Sequence, residues 1–167
     1  MIMRTKQAER ILAIDPGTRN IGFVVLEKGQ LLHYGVKTVR QISSPHEKLR
    51  EGRRIILGLI NDFKPRTMVV EKTFFANNRN SALLNVFADE IKAVGRRKGL
   101  EVRSLAANSV RKLICGNGAA SKDEVAIAMV SRYPELKPFL TSDRRWKERY
   151  HRNMFDALAL AIAAEHL

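Results

Sequence analysis

Three carboxylates stand where rigid elements could hold them together. Asp15 and Glu71 each close a short apolar run, Ile11–Ile14 and Met68–Val70, and Asp156 opens an alanine-rich stretch. Brought to one spot, such acids raise each other's pKa, a cost that a divalent cation reverses. Magnesium suits the set, because it takes oxygen ligands and keeps several waters. Two such ions, about 4 Å apart, can activate a water and stabilise the leaving oxygen of a phosphodiester. Each acid also has a local explanation. Asp15, before Pro16-Gly17, could be a turn residue bonding its own backbone. Glu71 could be a strand end meeting solvent, and Asp156 could offset a helix dipole. A shared metal site accounts for all three at once.

The elements around these acids set whether they can meet. Ile11–Ile14 reads as a strand ending in the turn sequence Asp15-Pro16-Gly17-Thr18. Ile21–Leu26 and Leu31–Val36 follow as strands, and the short connections imply antiparallel neighbours. Leu49, Ile56, Ile60 and Phe63 recur at helical spacing from His46 to Phe63, and Pro65 stops that helix. Met68–Val70 is a fourth strand. A polar loop, Asn77–Asn80, leads to a helix from Ser81 to about Lys98 with Leu84, Phe87, Ile91 and Val94 on one face, ended by Gly99. Glu101–Leu105 is a fifth strand. A short helix (Ser109–Ile114), a turn at Gly116–Gly118, a helix capped by Ser121 and broken at Pro134, and a final helix through Ala157, Leu158, Ala161 and Ile162 complete the chain. This order predicts an α/β fold, a mixed five-stranded sheet with helices on both faces. The fourth strand arrives by a helical crossover and should lie parallel to the first, so Asp15 and Glu71 end side by side.

The chain has 167 residues, 45% of them apolar, which suits one domain (1–167) with a proper core. No apolar run approaches the roughly 18 residues of a membrane span. The polar start is unlike a signal peptide, and the single cysteine, Cys115, rules out an intrachain disulfide and thiolate metal sites. A cytoplasmic setting without membrane attachment is expected, with Cys115 a small hydrophobe in the interior. The net charge of +13 points to a polyanionic partner, since each phosphate neutralised releases counterions. A merely soluble basic protein would carry the same excess.

Four blocks in order carry a family resemblance. They are Ile11-Leu12-Ala13-Ile14-Asp15-Pro16-Gly17-Thr18 with Gly22, then Glu71 with Thr73-Phe74-Phe75-Ala76, Asn78, Ser81, Ala82 and Leu83. Ala106-Ala107 through Val110-Arg111, Gly116-Asn117-Gly118 and Lys122 form the third, and Asp156-Ala157-Leu158-Ala159-Leu160-Ala161 the last. Together they resemble the RuvC family of Holliday-junction resolvases, which have the ribonuclease H-like fold. The resemblance implies a nuclease that cuts four-way DNA junctions by paired symmetric nicks, leaving 5′-phosphate and 3′-hydroxyl ends. It makes Asp15, Glu71 and Asp156 the catalytic carboxylates, holding two Mg2+ ions per site, with Mn2+ expected to substitute. It also implies a homodimer and a branch-migration helicase as partner. The helix from Ser81 is a candidate dimer element, though its apolar stripe suits intramolecular core equally.

The chain departs from the family pattern twice. The family's fourth metal-site side chain, three residues before the last aspartate, is here Asn153, at most a weak neutral ligand on the same helical face as Asp156. His151 is the next candidate for that place. Thr141–Arg152 is a longer connection than the family's usual one, with Arg144, Arg145, Lys147, Arg149 and Arg152 around Trp146 and Tyr150. It reads as either a solvated basic face or an extra DNA-backbone contact through Arg144, Arg145 and Arg149. Phe74 is expected to wedge or stack against unpaired bases. Lys122, placed against the dipole at a helix start, is expected to hold a phosphate, and Arg111 is a weaker candidate of the same kind. The rivals are another ribonuclease H-fold nuclease acting on RNA or other branched DNA, and a junction-binding protein with impaired catalysis. A small actin-like ATPase would need a second domain and phosphate loop that the chain has no room for.

Overall fold

The computed structural model describes residues 9–40, 44–73, 79–145 and 149–167, and only the backbone of residues 79, 80, 144 and 145. Three strands come first, β1 (Arg10–Asp15), β2 (Asn20–Glu27) and β3 (Gln30–Thr38). Lys28 and Gly29 turn β2 into β3, and both take the positive φ that a tight hairpin needs. Helix α1 (Pro45–Phe63) starts on a Ser44 cap and ends at Lys64 in the left-handed region. The chain then runs through β4 (Thr67–Lys72), α2 (Arg79–Arg97) and β5 (Glu101–Ala106). It closes with α3 (Ala107–Cys115), α4 (Lys122–Arg132), α5 (Lys137–Arg145) and α6 (Arg152–His166).

The strands form one sheet in the order β3-β2-β1-β4-β5, antiparallel across β1 to β3 and parallel across β1, β4 and β5. The expected α/β architecture is therefore present, with β4 parallel to β1. Alternation along the strands splits the core in two. Leu12, Ile14, Met68 and Val70 face Ile56, Leu59, Phe87, Ile91 and Val94 of α1 and α2. Ala13, Val24 and Val69 face the other way, onto α6 and α4. The α2 stripe of Phe87, Ile91 and Val94 is thus spent on the chain's own core.

Two segments depart most from the sequence reading. Helix α2 begins at Arg79, so Arg79 and Asn80 are helical rather than loop; Asn77 and Asn78 lie outside the described residues. Residues 137–145, part of which read as basic loop, form α5. Pro138 lies in its first turn, where a missing N–H removes no intrahelical bond, so the proline is compatible with the helix start. Cys115 is part-buried and packs against the core, in keeping with its expected apolar role.

Candidate active site

Strand parity brings the first two acids together. Ile14 pairs with Val70 in the parallel register of β1 and β4, and Asp15 and Glu71 follow as the next residue on each strand. Asp15 alternates in step with Ala13, and Glu71 with Val69, so both carboxylates lie on the sheet face that α6 covers. Asp156 sits one turn into α6. Gly22, opposite Asp15 in the β1–β2 register, lets that helix down onto the sheet: a Cβ there would stand 2.1 Å from the Asn153 carbonyl oxygen.

The three acids interact electrostatically. Burial pushes Asp15 well above the usual carboxylate range, and Glu71 and then Asp156 push it further, with Lys122 opposing. Glu71 is raised by burial and by Asp156, against a hydrogen bond from Asp15 and the charges of Lys122 and Arg111. Burial and mutual repulsion thus both favour the protonated form of Asp15 and Glu71. Asp15 is only 5% exposed, so this pair has little water to relieve it. The donor set is hard oxygen, carries surplus negative charge and sits on rigid elements, and such a site fits a magnesium-type cation. Among the described residues, no three His, Cys, Asp or Glu side chains are already gathered to the spacing of a metal cage. Asp156 instead accepts a hydrogen bond from Lys122 Nζ at 2.6 Å. Burial lowers the Lys122 pKa, but Asp156 with Asp15 and Glu71 together more than offset that, and the ammonium is held charged.

The other expected site residues are distributed unevenly. Lys122 reaches the carboxylates, and Arg111 lies near enough to Glu71 to stabilise its charge. Asn153 Nδ2 donates to the Asn20 carbonyl at 2.9 Å, so its amide pins the loop that follows Asp15. His151 is engaged elsewhere: its ring Nδ1 lies 2.7 Å from Asp143 Oδ1, and its backbone N–H donates to Asp143 Oδ2 at 2.6 Å. Arg149 donates to Asp123, which also receives Arg152 at 3.4 Å. Phe74 lies outside the described residues, as do the side chains of Arg144 and Arg145. Asp123 and Asp143 went unassigned in the sequence, because nothing local marks an acid whose partner is 26 or 8 residues away.

Fold and site define a class, the metal-dependent nucleases of the ribonuclease H-like fold. The sheet order, with two acids on adjacent parallel strands and a third on a helix crossing over them, is compatible with that class. Within it, the family model "Crossover junction endodeoxyribonuclease RuvC" matches residues 11–164, and the chain belongs to the RuvC family. A RuvC of Methylocella silvestris is 33% identical over 97% of this chain and 89% of its own. One from Pseudomonas fluorescens is 31% identical over 93% and 86%. Thermus thermophilus RuvC in complex with Holliday junction substrate superposes with a TM-score of 0.72 at 24% identity, covering 92% of this chain and 91% of that one. The yeast mitochondrial Holliday junction resolvase superposes at 0.65 with 13% identity, over 92% and 76%. These two likenesses are likenesses of fold.

Proposed function

We propose that this protein hydrolyses phosphodiesters at four-way DNA junctions with magnesium held by Asp15, Glu71 and Asp156. The observation that carries the reading is that three carboxylates on rigid elements lie near enough for Glu71 and Asp156 both to raise the Asp15 pKa and for Asp156 to raise that of Glu71. Bound there, two metal ions would lower the pKa of an attacking water and offset charge on the leaving oxygen. The chain's own groups supply the rest. Lys122 Nζ, now on Asp156, would be placed to donate to a phosphate oxygen brought to a cation at these carboxylates. Arg111 adds a second positive charge on the Glu71 side. Asp15 is buried, which limits the freedom of its side chain.

Membership of the RuvC family favours a four-way junction over other nucleic acids, and a homodimer making paired nicks matches the two-fold symmetry of such a junction. A branch-migration motor as partner rests on that membership alone. Cleavage of junction, flap, duplex and RNA–DNA hybrid, each with and without magnesium, tests the proposal. Selective, magnesium-dependent cutting of the junction is the expected result. Preference for the hybrid or flap would transfer the same site to another ribonuclease H-type substrate, and binding without cutting under any metal would leave only a junction-binding protein.

A further inference from the structure

The start of α6, which carries Asp156, has no cap of its own. His151 occupies the N-cap position at φ −86°, ψ 2° without a side-chain bond to the helix, and the first turn contains no acid. By contrast α4 has a full capping box, with Ser121 and Glu124 exchanging bonds. An uncapped first turn frays, and fraying here would displace a carboxylate that has to meet two others. Two acids from outside the helix supply what is missing. Asp143, on α5 and 6% exposed, takes both the backbone N–H and the ring of His151. Asp123, next to Lys122 on α4, takes Arg149 and Arg152 from either side of that cap. Their negative charge also lies toward the positive end of the α6 dipole.

We propose that Asp123 and Asp143 are positioning residues for the cutting reaction, clamping the first turn of α6 so that Asp156 stays beside Lys122 and faces Asp15 and Glu71. The Asp123 arm ties α4 to α6 next to the Lys122–Asp156 bond, so one brace fixes both partners. Arg149 is accordingly a structural strut of the active site and not a free phosphate contact. Asp123 is largely exposed, and exposed ion pairs contribute little to stability. Its loss should therefore appear in the rate and scarcely in the melting temperature. The inference rests on Asp156 being a catalytic carboxylate.

The test compares Asp123→Ala, Asp123→Glu, Arg149→Ala, the Asp123→Ala/Arg149→Ala double variant, Asp143→Asn and Asp156→Asn in the full chain. Junction-cutting kcat and KM at saturating magnesium, junction affinity in calcium, and a thermal melt are measured for each. Removing either end of the Asp123 brace should lower kcat by about ten- to a hundredfold, the scale of a small misplacement at a reacting centre. KM and affinity should stay within about twofold. The double variant should be no worse than either single one, because both remove the same link. Asp123→Glu, which keeps the charge, should recover part of the rate, and Asp143→Asn should lower kcat with Asp123 intact. An unchanged kcat in the Asp123 and Asp143 variants, with Asp156→Asn inactive, overturns the clamp alone. So does an Arg149→Ala variant that loses affinity but keeps kcat, since that marks a phosphate contact. Normal cutting by Asp156→Asn overturns the clamp together with the assignment on which it rests.

Discussion

Burial, Glu71 and Asp156 together hold the Asp15 proton more tightly in the folded chain than in the unfolded one. Glu71 is shifted the same way. For groups with raised folded values the sign is fixed: their contribution to stability is fully present below the unfolded pKa, near pH 4, and is lost as pH rises through the raised folded value. Without a bound cation the protein should therefore be strained at this acid pair at neutral pH. Asp15→Asn should melt higher than the parent at pH 7 in a chelator, and the gain should close as the pH falls toward about 4. Equal melting curves at both pH values would show that Asp15 is relieved some other way. Asn153 is a contrasting residue. Its amide donates to the Asn20 carbonyl, so Asn153→Asp would replace a donor with an anionic acceptor facing that carbonyl oxygen, while adding a carboxylate one turn before Asp156. The metal-free variant should lose about 1–3 kcal/mol in urea melts and regain part of it with magnesium. A variant as stable as the parent in chelator would deny the amide its role in pinning that loop.

At the scale of elements, β1, β4 and α6 decide the site, and much of this was legible in the residues. Short apolar runs gave the strands, and the crossover length gave the parallel pairing that sets Asp15 beside Glu71. What stayed illegible were relations across the fold. Residues 137–145 include Pro138, follow Pro134 closely and have few apolar positions, so their periodicity is too weak to mark α5. Asp123 and Asp143 look like ordinary surface acids until the fold delivers Arg149 and His151 to them. That Lys122 would contact Asp156 itself, rather than only a bound phosphate, also needed the packing of α4 on α6. Gly22 carried a signal of sorts, a small residue in the middle of an apolar strand, which often marks a close backbone approach. A methyl group there meets the backbone of Asn153 and Met154. Gly22→Ala should cost about 1–3 kcal/mol of stability and slow cutting by lifting the start of α6, read by urea melts beside a junction assay. A variant with parental stability and rate would mean that α6 has room to move without consequence.

Across the whole molecule, the charge of +13 and the buried acids work in opposition. The basic excess favours a polyanion at the surface, while Asp15 and Glu71 form a local acid pair whose pKa values are raised. Binding and cutting should consequently separate, because phosphates are held by Lys and Arg while hydrolysis depends on carboxylates. The most direct measurement is a single-turnover assay on junction complexes formed in calcium or without metal, then started with magnesium, for the parent and for Asp15→Asn, Glu71→Gln and Asp156→Asn. All four proteins should bind the junction with similar affinity. Only the parent should cut, with each substitution slowing the reaction by more than about a hundredfold, as expected when several kcal/mol of metal-supplied stabilisation is lost. Near-parental cutting by any one of the three variants, or cutting by the parent in a chelator, would contradict the three-carboxylate metal site.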